Sequence, residues 1–524
     1  MNYKIKKALA VTGIILAASV SLGACSLGNN TQAETTTAAV STTETSVSTE
    51  EIAELFTERD LDPSYDDATA VHIALADSGI TSDSTDGLTI NGSTVTITAE
   101  GVYVLSGSLS NGQIIVEAQD TDKVQIVLNS VNISSSSTAA IYVKQADKVF
   151  VTTAEGTENT LSESGAFAAD GDTNVDAVVF SKSDITFCGE GTLTVTTENG
   201  NVITSKDDLK MTLGTYNITV SGKGLEANDS IRIADGTYNI QSEDDALHSD
   251  DYTTVIGGVF TIASGDDGIH SDGATTINGG SFNITESYEG IEGQTITITG
   301  GEISMKTSDD GLNAAGGNDQ SGVGGQMDTF AADMNAMIEI SGGKLYINSE
   351  GDGIDSNGSI TISGGEITVD GPTNAGNGAM DYNGTASVTG GTIVAAGAAG
   401  MAENFSEATQ GAILVNLSQT ANGGTVKVTD SDGNTVITAE ISKSFGNVVV
   451  SSPDLQKGET YTVSVGSDSQ TVTLDDYVYG SGSGMGMGMG GMQGGPGGMQ
   501  GATGEMPEGE MPSGEYGMHG GPRG

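Results

Sequence analysis

Residues 236–250 read Gly-Thr-Tyr-Asn-Ile-Gln-Ser-Glu-Asp-Asp-Ala-Leu-His-Ser-Asp, and residues 258–272 read Gly-Val-Phe-Thr-Ile-Ala-Ser-Gly-Asp-Asp-Gly-Ile-His-Ser-Asp. The second stretch restates the first 22 residues later. Repeat glycines stand at Gly214, Gly236, Gly258 and Gly280, then at Gly301, Gly343, Gly365 and Gly391, where the intervals are 21, 42, 22 and 26. The interval of 42 contains an insertion, Gly316 to Met337, rich in Gly, Met and Asp, which predicts a surface loop on one coil. A short period built from Ile- and Thr-rich runs and glycine turns, without helical spacing, predicts a parallel β-solenoid with one repeat per coil. Leucine-rich horseshoes are the rival at this length, and they need regularly spaced leucines that are scarce here. The crossover preference of parallel sheets makes the expected fold all-β, a right-handed parallel β-helix.

Apolar residues recur two and four places after each repeat glycine, as Tyr216/Ile218, Tyr238/Ile240, Phe260/Ile262, Phe282/Ile284, Ile303/Met305 and Leu345/Ile347. They share one face of a strand. Aliphatics replace the aromatics in later coils, so a stacked core is expected rather than an aromatic platform for sugars.

The chain has 524 residues with 18 Lys plus Arg against 70 Asp plus Glu, a formal charge of −52. Such a surface repels phosphate backbones, which excludes nucleic acid as a partner and favours cations. Much of the acid lies in the turns between repeat glycines. Same-position residues of successive coils stack roughly 4.8 Å apart, so Asp245, Asp267, Glu289, Asp310 and Asp352 form a file. Close carboxylates must be neutralised by protons or by cations. Calcium takes about 6 to 8 oxygen ligands, and Asp244, Asp245, Asp250, Asp266, Asp267, Asp272, Glu289, Glu292, Asp309, Asp310, Asp352 and Asp355 are the candidates to supply them between coils. The competing view is that these acids only serve turns and solubility. His248 and His270, one coil apart, are candidate ligands too, with a stacked structural pair as the preferred reading.

Towards the N-terminus the column of Asp250 and Asp272 becomes Asn228, Lys206, Lys182 and Lys144, and Lys223 precedes Asp245. The face thus runs from basic to acidic. An acidic sugar chain would meet Lys144, Lys182, Lys206, Lys223, His248 and His270 at one end and bridge bound calcium at the other.

At the amino terminus Lys4, Lys6 and Lys7 precede a short apolar run and Leu22-Gly23-Ala24-Cys25, which is similar to a bacterial lipobox. The expectation is a signal peptide at 1–24, a lipid anchor on Cys25, and a location on the extracellular face of the bacterial membrane. Residues 25–50 read as a Ser/Thr-rich tether, 51–135 as a β-rich cap, 136–400 as the β-helix, 401–478 as a C-terminal β cap or small domain, and 479–524 as a Gly/Met-rich tail without a core. Cys188 is the other cysteine, so a buried thiol and a monomer without an internal disulfide are expected.

Glu58-Arg59-Asp60-Leu61-Asp62-Pro63-Ser64-Tyr65-Asp66, Ala140-Ile141-Tyr142-Val143-Lys144-Gln145-Ala146-Asp147-Lys148, Glu155-Gly156-Thr157-Glu158-Asn159 and the repeated Asp-Asp-Gly-Ile-His resemble a bacterial family of carbohydrate-binding β-helix proteins. That family's fold is similar to the β-helix of calcium-dependent pectate lyases. The resemblance, spanning about 56–400, implies binding of cellulose and acidic plant polysaccharide with calcium in the helix. In the lyase relatives a lysine beside calcium abstracts a proton, and Lys223 is the residue here whose neighbourhood matches. Three readings follow: a surface-anchored glycan binder, a polysaccharide lyase, and a calcium-stabilised scaffold.

Overall fold

The computed structural model describes residues 48–314 and 333–481. The expected signal peptide, Cys25, most of the tether, most of the insertion and nearly all of the tail lie outside the described residues. Among the described residues no helix is long and apolar enough to cross a membrane.

The chain winds as a parallel β-helix. A typical coil supplies a short strand, Leu247–Ser249, then Tyr252–Val255, then Val259–Ala263. The short strands gather in a 13-stranded sheet, and the other two per coil merge into a 28-stranded sheet with the C-terminal strands. Register keeps like beside like: Tyr216, Tyr238, Phe260 and Phe282 pair in succession. Their side chains are 2% exposed or less, with near-parallel ring centroids 5.3, 4.6 and 4.4 Å apart. The aromatic column is therefore core. Each buried tyrosine keeps a partner for its hydroxyl, Tyr216 donating to the Leu213 carbonyl at 2.7 Å and Tyr238 to that of Asp235 at 2.8 Å. This column also explains the repeat glycine. At Gly236, φ is +128°, and a Cβ would sit 2.8 Å from the Tyr238 hydroxyl oxygen.

Parallel stacking starts ahead of residue 136. Thr94–Ile97 pairs with Gln113–Glu117, and Gly101–Leu109 with Lys123–Ser135, inside the segment assigned from sequence to a cap. The register slips between Leu105 and Gly107, which hides the period that is plain further on. At the other end Thr435–Ser452 pairs antiparallel with both Ala386–Gly397 and Gly411–Thr429, covering the edge of the last coil. These strands carry a separate core that includes Ile413, Val426, Val450, Tyr461 and Leu474. Cys188 is buried 3.2 Å from the Thr152 hydroxyl, and burial pushes its thiol up to about 11.

Candidate functional site

The short-strand sheet presents three parallel columns. Glu226, His248, His270, Glu292, Asn313, Asp355 and Asp381 follow one another along the strands. Lys223, Asp245, Asp267, Glu289, Asp310 and Asp352 occupy the turn before them, and Lys182, Lys206, Asn228, Asp250 and Asp272 the turn after, in line with Lys144 near the end of the strand Ile141–Gln145.

In the first turn one carboxylate oxygen is already engaged in holding coils together. Asp245 Oδ1 accepts the N–H of Asp267 and Asp267 Oδ1 that of Glu289, both at 3.1 Å. Asp310 Oδ1 likewise accepts from Asp352, and Asp352 Oδ1 from Gly378. The same residues' carbonyls accept from the coil before: Gly224 donates to Asp245 at 3.0 Å, Ala246 to Asp267 at 2.9 Å and Gly268 to Glu289 at 3.0 Å. These acids are inter-coil couplers in their own right, and charge chemistry draws on the acceptor capacity that this coupling does not use.

At the early end that chemistry is met by the protein's own lysine and histidine side chains. Lys223 Nζ contacts Asp245 Oδ2 and lies 3.2 Å from Asp244 Oδ1. His248 Nδ1 is 2.9 Å from Asp245 Oδ2. Burial works against charge on Asp245, yet His248 and Lys223 together hold its carboxyl well below the usual range. Burial likewise opposes the Lys223 charge, and Asp245 and Asp244 outweigh it, raising the amine. His270 Nδ1 contacts Glu292 Oε2 and lies 3.1 Å from Asp267 Oδ2, while Nε2 faces Asp272 at 3.2 Å. Against the cost of burial, Asp267 and Glu292 push the imidazole up to about 11, so it stays protonated at neutral pH. Burial, with Asp267 nearby, pushes Glu292 up to about 8 despite His270. Burial and the charges of Asp267, Asp245 and Asp244 push Asp266 up to about 6.

Ligand atoms of Asp245, His248 and His270 lie within 4.8 Å of one another. The two imidazoles are stacked, however, 4.8 Å apart and 17° from parallel, so their in-plane lone pairs run side by side and do not converge on one ion. They are a stacked pair.

The late end is an oxygen cluster. One oxygen each from Asp310, Asp352 and Asp355 lie within 4.8 Å. Burial and the charges of Asp352, Asp355 and Asp309 push the Asp310 carboxyl far above its usual range. One coil back, Asn313 Nδ2 donates to both carboxylate oxygens of Glu289, at 2.9 and 2.8 Å. Asn313 Oδ1 and its register neighbour Glu292 Oε1 are buried without a hydrogen-bond partner among the described residues. Hard oxygen donors, several of them desolvated and one pair unsatisfied, suit calcium better than a transition metal.

Of the lysines singled out from sequence, Lys144 pairs with Asp170 at 2.8 Å, Lys206 lies 4.0 Å from Glu226, and Lys182 is exposed. Asp250 faces His248 Nε2 at 3.4 Å. Burial, and after it a hydrogen bond to Asp309, raises the Tyr288 hydroxyl. Asp381, in the run Asn377-Gly-Ala-Met-Asp381-Tyr-Asn383 that extends the sequence pattern, does join the strand column, whereas sequence reasoning missed Glu226. Glu226 accepts from Thr204 at 2.6 Å and Asn201 at 2.8 Å. Counting 22 residues back from His248 reaches it.

Residues 91–336 match the family model described as carbohydrate-binding domain-containing protein. A protein of that description from Acetivibrio thermocellus is 37% identical over 143 residues, which is 27% of this chain and 49% of that protein. The chain thus spans about half the length of the curated relative it matches. A solved polysaccharide lyase-like protein from C. thermocellum, a gadolinium derivative, is 25% identical and aligns over 61% of this chain and 96% of its own, with a TM-score of 0.34.

Proposed function

We propose that this protein is a surface-anchored lipoprotein that binds polysaccharide, an acidic plant cell-wall glycan such as polygalacturonate or else cellulose, on the short-strand face of its β-helix, with calcium at the late end of the acidic ladder. The match over residues 91–336 supports a carbohydrate ligand. The observation that carries the calcium part is the Asp310, Asp352 and Asp355 cluster beside the unsatisfied oxygens of Glu292 and Asn313. Calcium there would supply a positive charge that a uronate carboxylate can share. The anchor at Cys25, the monomeric state and the extracellular location rest on the sequence alone.

Lys223 bears on the lyase reading. A general base must be deprotonated at working pH, whereas Lys223 is held protonated between Asp244 and Asp245. Its geometry suits a fixed counter-ion, so binding without bond cleavage is the function these residues favour.

The test is retention of the soluble chain from Ser26 on immobilised polygalacturonate, on cellulose and on a neutral control, with calcium and with chelator, while absorbance of unsaturated product is followed. Calcium-dependent retention without product is expected. Retention that ignores chelator would remove calcium from the reading, and loss of retention on every glycan would leave a calcium-stabilised scaffold.

A further inference from the structure

The segment from Ser48 to Asp66 is no part of the ladder, yet it is fastened to the helix along its length. It opens with the helix Thr49–Leu55, where Ser48 Oγ accepts the Glu51 N–H at 3.2 Å and Glu51 accepts the Ser48 N–H at 2.7 Å. Beyond buried Phe56, the Asp60 side chain is fully buried. Its Oδ1 meets Lys148 Nζ at 2.7 Å and the Thr186 hydroxyl at 2.7 Å, and its Oδ2 lies 3.5 Å from Lys210 Nζ. Thr212 donates to the Asp60 carbonyl at 2.9 Å. Arg59 bonds Gln125 and lies over the Phe150 ring at 5.0 Å, while Arg232 donates to the Leu55 carbonyl at 3.4 Å.

Gln125, Phe150, Thr186, Lys210 and Arg232 are not scattered. They follow one another in register on five successive coils of the large sheet. The first strand of that sheet, Val71–Leu75, holds by contrast to Gly101–Leu109 through five paired residues and to Thr81–Ser82 through two. A pull transmitted to Val71 would peel the solenoid from its end, breaking one pair at a time.

We propose that residues 48–66 are a lateral lock: they fasten the incoming chain to five coils at once, so that tension from the N-terminal side is borne across the helix by the Asp60 ion cluster instead of peeling the first strand. This inference is independent of which ligand the ladder binds. Asp60 is the pin, because its carboxylate joins two nearly buried ammonium groups that sit on different coils.

The experiment is single-molecule stretching of the chain held at both termini, comparing wild type with Asp60→Asn. The variant is expected to show an early step of about 60 Å, the extended length of the strap, at a force lowered roughly twofold from the first wild-type rupture. An unchanged first rupture without the early step would overturn the proposal. A second arm replaces Asp60 by Asn together with Lys148→Met and Lys210→Met. That triple variant should melt above Asp60→Asn alone, since the single change leaves two buried ammonium groups facing each other. A triple variant no more stable than the single would show that the ion cluster is not the pin. Calcium-dependent melting of Asp60→Asn should match wild type, which separates release of the strap from general misfolding.

Discussion

The two ends of the acidic ladder occupy the same position in the repeat and meet opposite solutions to one electrostatic problem. Around Asp245 and Asp267 the second carboxylate oxygens face the Lys223 ammonium of the preceding coil and the His248 and His270 imidazoles of their own coils. Around Asp310 the close ligand atoms are more carboxylate, from Asp352 and Asp355. One end sets Lys and His side chains against its carboxylates, and the other sets carboxylate against carboxylate. The contrast follows from which residue the repeat places there: Lys223 stands in the Asp245 column, and His248 and His270 stand where later coils carry Asn313 and Asp355.

The sharpest way to break this contrast is Lys223→Met. It strands the buried Asp245 charge, and a loss of about 3 to 5 kcal/mol is expected in urea unfolding. A loss below about 1 kcal/mol would mean that His248 alone suffices and that the early end does not depend on its lysine. The next largest effect is in pH. His270 is raised from 6.5 to about 11, so the stability it lends is complete below 6.5 and is lost as pH climbs through about 11. Glu292, raised from 4.5 to about 8, acts in the same direction between those values. In chelator, melting temperature should therefore fall as pH rises from 5 to 9, and His270→Asn should flatten the part above 6.5. Calcium bound at the late end would compete with protons there, where Asp310 is raised, so the gain in melting temperature on adding calcium should grow with pH, by about 1 °C per kcal/mol for a structure of this size. A calcium increment that shrinks with pH would contradict a cation seated among these acids. The smallest effect is expected from Lys206→Ala, whose contact with Glu226 is long at 4.0 Å: under about 1 kcal/mol in the same urea assay. A larger cost would give the basic end a structural part that its geometry does not suggest.

Much of this was legible before any coordinates. Equal spacing of Gly236 and Gly258 implies stacking, and the alternation of Tyr238 and Ile240 identifies the inward face. Column membership follows by counting, which is why Asp245 and Asp267 could be placed together. Counting does not reveal which oxygen points where, so the capture of the Asp267 N–H by Asp245 Oδ1 was invisible, as was the protonated state that makes Lys223 a counter-ion. The coils ahead of residue 136 escaped because their slipped register breaks the period. The strap escaped for a different reason: Asp60 meets Thr186 and Thr212 across separations of 126 and 152 residues, and no local pattern encodes a contact at such range.

The coupling of coils through the ladder has a consequence for how such a molecule can change length. Asp245, Asp267, Asp310 and Asp352 reach forward with their side chains to the next coil's N–H and backward with their carbonyls to the previous one. A coil with aspartate at this place therefore offers the same plug and the same socket as the others that carry it. Where a repeat that carries this aspartate is duplicated or deleted in a gene, the coils brought into contact meet through the same joint, so the number of acidic coils can vary without a new kind of contact between them.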